Sequence, residues 1–425
     1  MAESVLAKKS FYGWKALSGA MIVYFCGCGI LFYSFGVFMP AMCDALSWTR
    51  SAVAGAFSLF IIMMGLLGPV VGITVARFGP RKNIVIGNIV AIIGLAGLFF
   101  TQKTWHFYLF YGALVGIGNA FGLFIPATTI ANNWFIRKRA LALSLVTASG
   151  GLGGLLFPPL IITPLISKFG WQFAWLFLAA IHLVLAIFVG GLLIRNTPEE
   201  IGQVPDGLAS EAPGEETSAE VHQSKVYQTP VEWETGQAVR TLPFWLIMIF
   251  SVANVFALNI MVVHQVAHLE DIGFSRMIAA SALGLLPGMS IIGRLGVGAL
   301  ATRFEARYLA SICILGQIIA VSIFMKASSL PLIYIYALIF GICYGGLIVL
   351  LPTFFGSYYG RESYPKVLGL NMLFVTLLGA IAPPLGGAIK VATGSYTTAF
   401  LILIVLLAIG LVCAFFAKPP KPKMQ

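Results

Sequence analysis

Apolar runs of about 20 residues recur twelve times along this chain, and a helix of that length crosses a bilayer core of ~30 Å. They lie near 16–40, 51–76, 84–101, 107–131, 140–165 and 172–194, then near 243–268, 277–301, 308–325, 331–356, 366–389 and 396–417. The composition agrees with that reading. The chain is 59% hydrophobic and 10% charged, too few charges to cover the surface of a soluble protein of 425 residues. The expected fold is an all-α membrane protein with twelve transmembrane helices.

The only long polar stretch, 195–242, holds nine of the fifteen acids together with Pro, Gly and Ser, as in "SEAPGEETSAEVHQSK". It reads as a flexible, solvated linker. The expected organisation is therefore a six-helix half over 1–194, a linker loop over 195–242 and a second six-helix half over 243–425. With both termini in the cytoplasm, nineteen Lys/Arg fall on the inner side and six on the outer. The remaining one is Arg294. The net charge of +11 is thus a topology signal, and nucleic acid is not an expected partner; the lipid bilayer is. The chain is expected in the plasma or inner membrane of the cell, as a monomer.

No metal or cofactor is expected. The six cysteines are scattered through apolar runs, and His264 and His268 share a helix without a third ligand. No P-loop points to ATP-driven transport, and no nucleophile–base set or carboxylate pair lies within the spans, so an enzyme is not expected. "GIGNAFG" (116–122) sits inside an apolar helix with no preceding strand, which argues against a dinucleotide loop.

The halves repeat each other at a nearly constant offset. "SWTR" (47–50) matches "GFSR" (273–276), and Gly72, Arg77, Phe78 and Arg81 match Gly298, Arg303, Phe304 and Arg307, at an offset of 226. Gly116 matches Gly341 and "FPPL" (157–160) matches "APPL" (382–385), at 225. A duplicated six-span unit is a common transporter plan, with the substrate site between the halves near the midplane.

The loop "GITVARFGPRK" (72–82) resembles the signature loop of the major facilitator superfamily, with Ala76 where the usual acid stands. "NWFIRKRALALSLVTASGG" (133–151) resembles the span-5 signature of its monocarboxylate transporter branch, and "FYGW" (11–14) is similar to part of that branch's span-1 signature. "RNTPEEIGQVPDG" (195–207) is similar to the segment after span 6 in many bacterial relatives, among which the oxalate/formate antiporters are neighbours. The resemblance covers nearly the whole chain. It implies two pseudo-symmetric six-helix halves that carry a small carboxylate by alternating access.

Arg294, in "GMSIIGRLGVGAL" (288–300), lies well inside the eighth span. A cation there costs about 2.5–3.5 kcal/mol on insertion scales. A guanidinium offers a planar two-donor fork to a carboxylate and stays charged when desolvated. The competing reading is snorkelling toward the inner helix end, ~10 Å away. The counterpart of Arg294 at offset 226 is Gly68, so the repeat does not demand a cation there. The resemblance also places at Arg294 the arginine that meets the substrate carboxylate.

All fifteen acids lie in loops, tails or helix ends, so no Asp or Glu can serve as a mid-membrane proton relay. By the resemblance, Ser290 stands where many proton-linked relatives carry an aspartate, and Tyr33 where they carry a span-1 lysine. One buried cation matches a monoanion better than a dianion. The expected substrate is a monocarboxylate such as a 2-oxo, 2-hydroxy or aromatic acid, with a proton as expected co-substrate. Three coupling routes stay open: anion exchange as in the oxalate/formate antiporters, titration of His264, or release when a proton joins the carboxylate.

Further candidates line the helices expected to form the cavity: Tyr33, Asn119, Phe121, Asn254, Asn259, Tyr344 and Asn371, with interhelical glue as the competing role for each Asn. "GGLGG" (150–154) and the two Pro-Pro pairs read as close contacts and kinks. Arg77, Arg81, Arg303 and Arg307 are expected in gating loops, with Glu305 and Glu362 as available charge partners.

Overall fold

The repeated stretches 47–50 and 273–276 are two copies of one helix start. Ser47 and Gly273 both adopt positive φ, 53° and 93°. Two residues on, the Thr49 hydroxyl accepts from Ala52 N at 3.2 Å and the Ser275 hydroxyl from Ile278 N at 3.4 Å, each satisfying an orphan donor of the new helix. The hydroxyl is what the motif contributes to the backbone.

The computed structural model describes residues 11–207 and 226–421. Residues 1–10, 208–225 and 422–425, with Lys8, Lys9, Lys225, Lys423 and the "SEAPGEETSAEVHQSK" part of the linker, lie outside the described residues. The fold is all-α. Helix α1 is Gly13–Leu46; α2 is Arg50–Leu66 continued by Gly68–Phe78; α3 is Pro80–Leu98 and α4 is Thr104–Trp134. A continuous run, Arg139–Leu193, contains α5 (139–169) and α6 (171–193), separated where Gly170 takes φ 80°. Then follow α7 Leu242–Asp271, α8 Arg276–Leu300, α9 Ala306–Met325, α10 Leu330–Tyr359, α11 Tyr364–Thr393 and α12 Thr397–Phe416. These are twelve membrane-spanning helices in two halves.

Prolines interrupt two of these helices, one of them at a Pro-Pro pair that the sequence marks as a kink. The pieces of α2 meet at 49°, where Pro69 has no N–H for the Gly65 carbonyl. In α11, Pro383 withdraws the donor that would serve the Gly379 carbonyl, and Asn259 of α7 donates to that oxygen instead at 2.8 Å. The "FPPL" of α5 falls within one wide turn, Phe157–Ile162, so the run continues without a break there.

One apolar core fills the first half, and a second is centred on the second half and reaches Val71, Val75, Ala120, Ile125 and Ala140 of the first. The halves meet through two helix pairs related by the repeat: the second piece of α2 packs on α11, and α8 packs on α5. A Cβ on Gly72 would meet the Pro365 carbonyl, and one on Gly298 would meet Ser144 of α5. These contacts lie toward the end that carries the 195–242 segment, here called the linker face.

The described parts of the linker are ordered against that face, which corrects the expectation of a wholly solvated loop. Asn133 and Trp134 donate to the carbonyls of Asn196 and Arg195, both at 3.0 Å, and Asn196 Oδ1 accepts from Arg81 N at 2.9 Å. Two linker carboxylates hold equivalent loops. Asp206 accepts from the N–H groups of Ile136 and Arg137 at 2.9 and 2.8 Å, before α5. Glu232 accepts from Arg361 and Glu362 N–H, both at 3.0 Å, before α11. Positions 136 and 361 are one repeat apart. Acids are therefore scarce in the spans but used at the loops, where free N–H groups attract them.

Candidate functional site

A cavity of about 350 Å³ lies between the halves, walled by residues of α1, α2, α4, α5, α7, α8, α10 and α11. Most of its wall is apolar, including Ile61, Met64, Leu123, Phe124, Phe250 and Leu347. Its polar groups include Tyr24, Tyr33, Asn119, Arg294 and Tyr344 from α1, α4, α8 and α10, with Ser251, Asn254 and Asn259 of α7 and Thr376 of α11.

Arg294 projects from α8 across the interface and is only 6% exposed. Its Nη1 donates to the Thr147 carbonyl of α5 at 2.5 Å, and its Nε is buried with no partner. The Tyr33 hydroxyl faces the guanidinium, and Tyr24, Cys28 and Tyr344 lie within its electrostatic reach. Among the described residues no carboxylate pairs with it; the described ion pairs are Arg361–Glu199 and Lys390–Asp271. A buried cation held by one neutral carbonyl keeps donors available to an anion.

The run "GGLGG" makes the room for this arrangement. A Cβ on Gly150 would strike the Tyr24 ring, one on Gly154 the Tyr33 ring, and one on Gly151 would lie 3.2 Å from Arg294 Nη1. The face of α5 is thus a seat for the two tyrosines and the guanidinium. Tyr24, Cys28 and Tyr33 share one face of α1 because the turn Cys28–Phe32 is wide, with Tyr33 N bonded to the Cys28 carbonyl at 2.9 Å. The spacing of four then five residues is out of phase in a regular α-helix.

Of the residues expected at the site, Arg294, Tyr33, Asn119 and Tyr344 line the cavity. Phe121, Ser290, Asn371 and His264 are not among its lining residues. The backbone of Phe121 lies against Gly87 of α3. Ser290 bonds back to the Pro287 carbonyl at 2.7 Å, in the α8–α10 contact. Asn371 is buried against Met248, its Nδ2 3.4 Å from the sulfur. His264 Nε2 donates to the Pro383 carbonyl at 2.9 Å, and its ring covers Gly386, so it fastens α7 to α11. Asn254 and Asn259 do line the cavity, yet Asn254 Oδ1 is held by Gln317 of α9 and Asn259 Nδ2 by the Gly379 carbonyl, both at 2.8 Å. Tyr24, Cys28, Phe124 and Thr376 also line it and carry no motif of their own; an intramembrane tyrosine is their strongest sequence signal.

The four loop arginines do not form the expected pairs with Glu305 and Glu362. Arg77 and Arg303 are exposed, Arg81 Nε donates to the Gly191 carbonyl at 3.3 Å, and Arg307 donates to the Tyr308 hydroxyl at 2.7 Å. The acid that bridges the linker face is Glu199, which binds Arg361 through both oxygens at 3.0 and 3.3 Å.

A family model described as Major Facilitator Superfamily matches residues 20–325 and 289–425. A protein of Aspergillus flavus named MFS transporter asaE is 27% identical over 395 residues, 90% of this chain and 81% of its own. Rat monocarboxylate transporter 12 is 24% identical over 96% of this chain and 86% of its own, and bovine monocarboxylate transporter 13 is 25% identical over 92% and 86%. Among solved structures, the transporter FucP in its outward conformation superposes with a TM-score of 0.71 at 14% identity, over 95% of this chain and 98% of that one.

Proposed function

The chain belongs to the Major Facilitator Superfamily, and from that premise we propose that it carries a small monocarboxylate across its membrane by alternating access, with Arg294 as the carboxylate anchor. The observation that carries this reading is a buried guanidinium with no acidic partner among the described residues, at the wall of a largely apolar cavity. Such a site suits an acid with one negative charge and an apolar body. The names of the rat and bovine relatives support the same class. The volume accommodates an aromatic acid as well as a lactate- or pyruvate-like one. Tyr33 and Tyr344, which line the cavity, hydrogen-bond a 2-oxo or 2-hydroxy group in this reading, and Asn119 orients it.

In this reading residues 1–194 and 243–425 are the two moving halves, joined by 195–242. The linker face is cytoplasmic, the carrier works as a monomer in the plasma or inner membrane, and the described state is the one closed toward the cytoplasm. Proton symport then requires the proton to travel on the substrate carboxyl, because none of the residues lining the cavity is Asp, Glu or His. The same observation favours a second reading, exchange of one carboxylate for another.

The test is uptake of labelled lactate, pyruvate, benzoate and oxalate into proteoliposomes, with and without an inside-alkaline gradient, for wild type, Arg294→Lys and Arg294→Ala. Monocarboxylate uptake reduced at least tenfold in both variants is expected, since a bidentate charged contact contributes about 1.5–3 kcal/mol. Uptake that needs internal carboxylate identifies exchange. Full activity of Arg294→Ala overturns the anchor.

A further inference from the structure

A second buried arginine lies between the halves, nearer the linker face. Arg139 opens α5 and is 3% exposed. Its side chain lies against Gly356 of α10, where an added Cβ would come within 3.2 Å of Nε. One Nη donates to Gln228 Oε1 at 3.0 Å, while Nε is buried with no partner. Beside it is a cavity of about 200 Å³, separate from the one at Arg294, whose polar wall is Arg137, Arg139, Gln228, Thr302, Thr353 and Ser357. The Ser357 hydroxyl, also 3% exposed, has no partner either.

The acids nearest to Arg139 are already occupied. Asp206 and Glu232 act on it electrostatically, but their oxygens accept from the backbone N–H groups before α5 and α11. Arg361, which also acts on Arg139, is bound to Glu199. The cavity therefore has two cations, the buried Arg139 and the exposed Arg137, a free hydroxyl donor and two threonines, with no carboxylate among its described lining residues. This is the donor set of a site for a small anion.

Both arginines contact α5. Arg294 holds the carbonyl of Thr147, and Arg139 is eight residues earlier on the same helix, ~12 Å toward the linker face. We propose that Arg139, with Ser357 and Gln228, forms a second carboxylate station on the linker side, occupied by the transported acid before entry from or after release to that side. The identity of its ligand rests on the function proposed for Arg294; the anion site at Arg139 rests on its own cavity and its own unpartnered donors. The size of the cavity limits the ligand to a few heavy atoms. Position under the linker residue Gln228 and between α5 and α10 makes it a place on the substrate's way out, not a lipid headgroup site.

The test uses 2-bromopropionate, a monocarboxylate whose bromine is located by anomalous scattering in crystals of the full chain. Bromine beside both Arg294 and Arg139 is expected, with the second peak lost in Arg139→Gln and the first retained. A peak at Arg294 alone overturns the second station and leaves the central site standing. A peak at Arg139 alone upholds the second station and overturns the proposed anchor. A peak beside Arg139 that survives in Arg139→Gln overturns it as well. In oriented proteoliposomes, Arg139→Lys and Arg139→Gln should raise the KM for lactate presented at the linker face about tenfold, with less than twofold change at the opposite face. Equal changes at both faces overturn the proposal, because a purely structural defect has no side.

Discussion

Gly68 of α2 and Arg294 of α8 occupy equivalent positions in the two halves, 226 residues apart, and face equivalent partners with opposite results. A Cβ on Gly68 would lie 2.6 Å from the Gly369 carbonyl and 3.2 Å from Met372 Cβ. Arg294 reaches the carbonyl of Thr147, the residue that corresponds to Met372 at offset 225. In one half the backbones approach too closely for any side chain. In the other they part enough to hold a guanidinium. The duplicated fold thus accommodates either arrangement, so the cation is an addition to the architecture and not part of its framework.

The first prediction concerns the closed pair. Gly68→Ala forces α2 and α11 apart by a few tenths of an ångström. Overpacking of this kind costs about 1–3 kcal/mol. The melting temperature of the purified protein should fall by several degrees, and Gly72→Ala, whose Cβ would also strike the α11 backbone, should do the same. Unchanged melting in both variants would show that the two helices do not pack this closely.

A second prediction separates room from charge. Gly151→Leu leaves Arg294 in place but fills the space beside its Nη1, since even a Cβ there lies 3.2 Å from that atom and 2.9 Å from Ile291 Cγ1. The KM of the transported carboxylate should rise about tenfold, the equivalent of ~1.4 kcal/mol of lost anchoring. Gly36→Leu, on a glycine whose added Cβ would meet open space, is the control and should leave KM within twofold. Equal effects in the two variants would argue against α5 as the seat of the guanidinium.

The sequence made the spans, the two halves and the unusual arginine legible, because hydropathy, repetition and a lone charge in hydrocarbon are all one-dimensional signals. It did not reveal what Arg294 touches. A backbone carbonyl such as that of Thr147 exists at every residue and has no signature. It could not orient Asn371, Ser290 or Phe121, because helices apolar all round carry no rotational phase that separates cavity from helix contact. Tyr24 and Cys28 were hidden by a wide turn that breaks the regular period. The linker carboxylates were read as solvating charge, yet Asp206 and Glu232 meet loop N–H groups about 70 and 130 residues away in sequence, a pairing that only the folded chain brings about.

His264 gives the third prediction. Its ring nitrogen is committed to the Pro383 carbonyl, which makes it a fastener between α7 and α11. His264→Gln keeps a donor and should transport at near wild-type rate with an unchanged pH profile. His264→Ala loses one buried hydrogen bond, about 1 kcal/mol, and should lower the melting temperature without moving the pH midpoint of uptake. A shifted pH midpoint in the Gln variant would return His264 to the role of coupling residue.

The last prediction concerns the ion pair on the linker face. Partial burial tends to raise the Glu199 pKa from its ordinary 4.5, but hydrogen bonds and charge from Arg361, aided by a backbone N–H and Thr197, outweigh that and hold it below. A depressed carboxyl pKa stabilises the state that contains it above its ordinary pKa and loses that contribution as pH falls through the depressed value. Wild type should therefore melt above Glu199→Gln at pH 6–7, and the difference should shrink as the pH falls below the ordinary 4.5 and through the depressed value. The difference should be small, below about 1 kcal/mol, because the side chains are 22% and 54% exposed and solvent screens the pair. Arg361→Gln should abolish the pH dependence as Glu199→Gln does, and the double variant should add nothing further. A difference that does not change with pH in acid would show that Glu199 acts through packing and not through its charge.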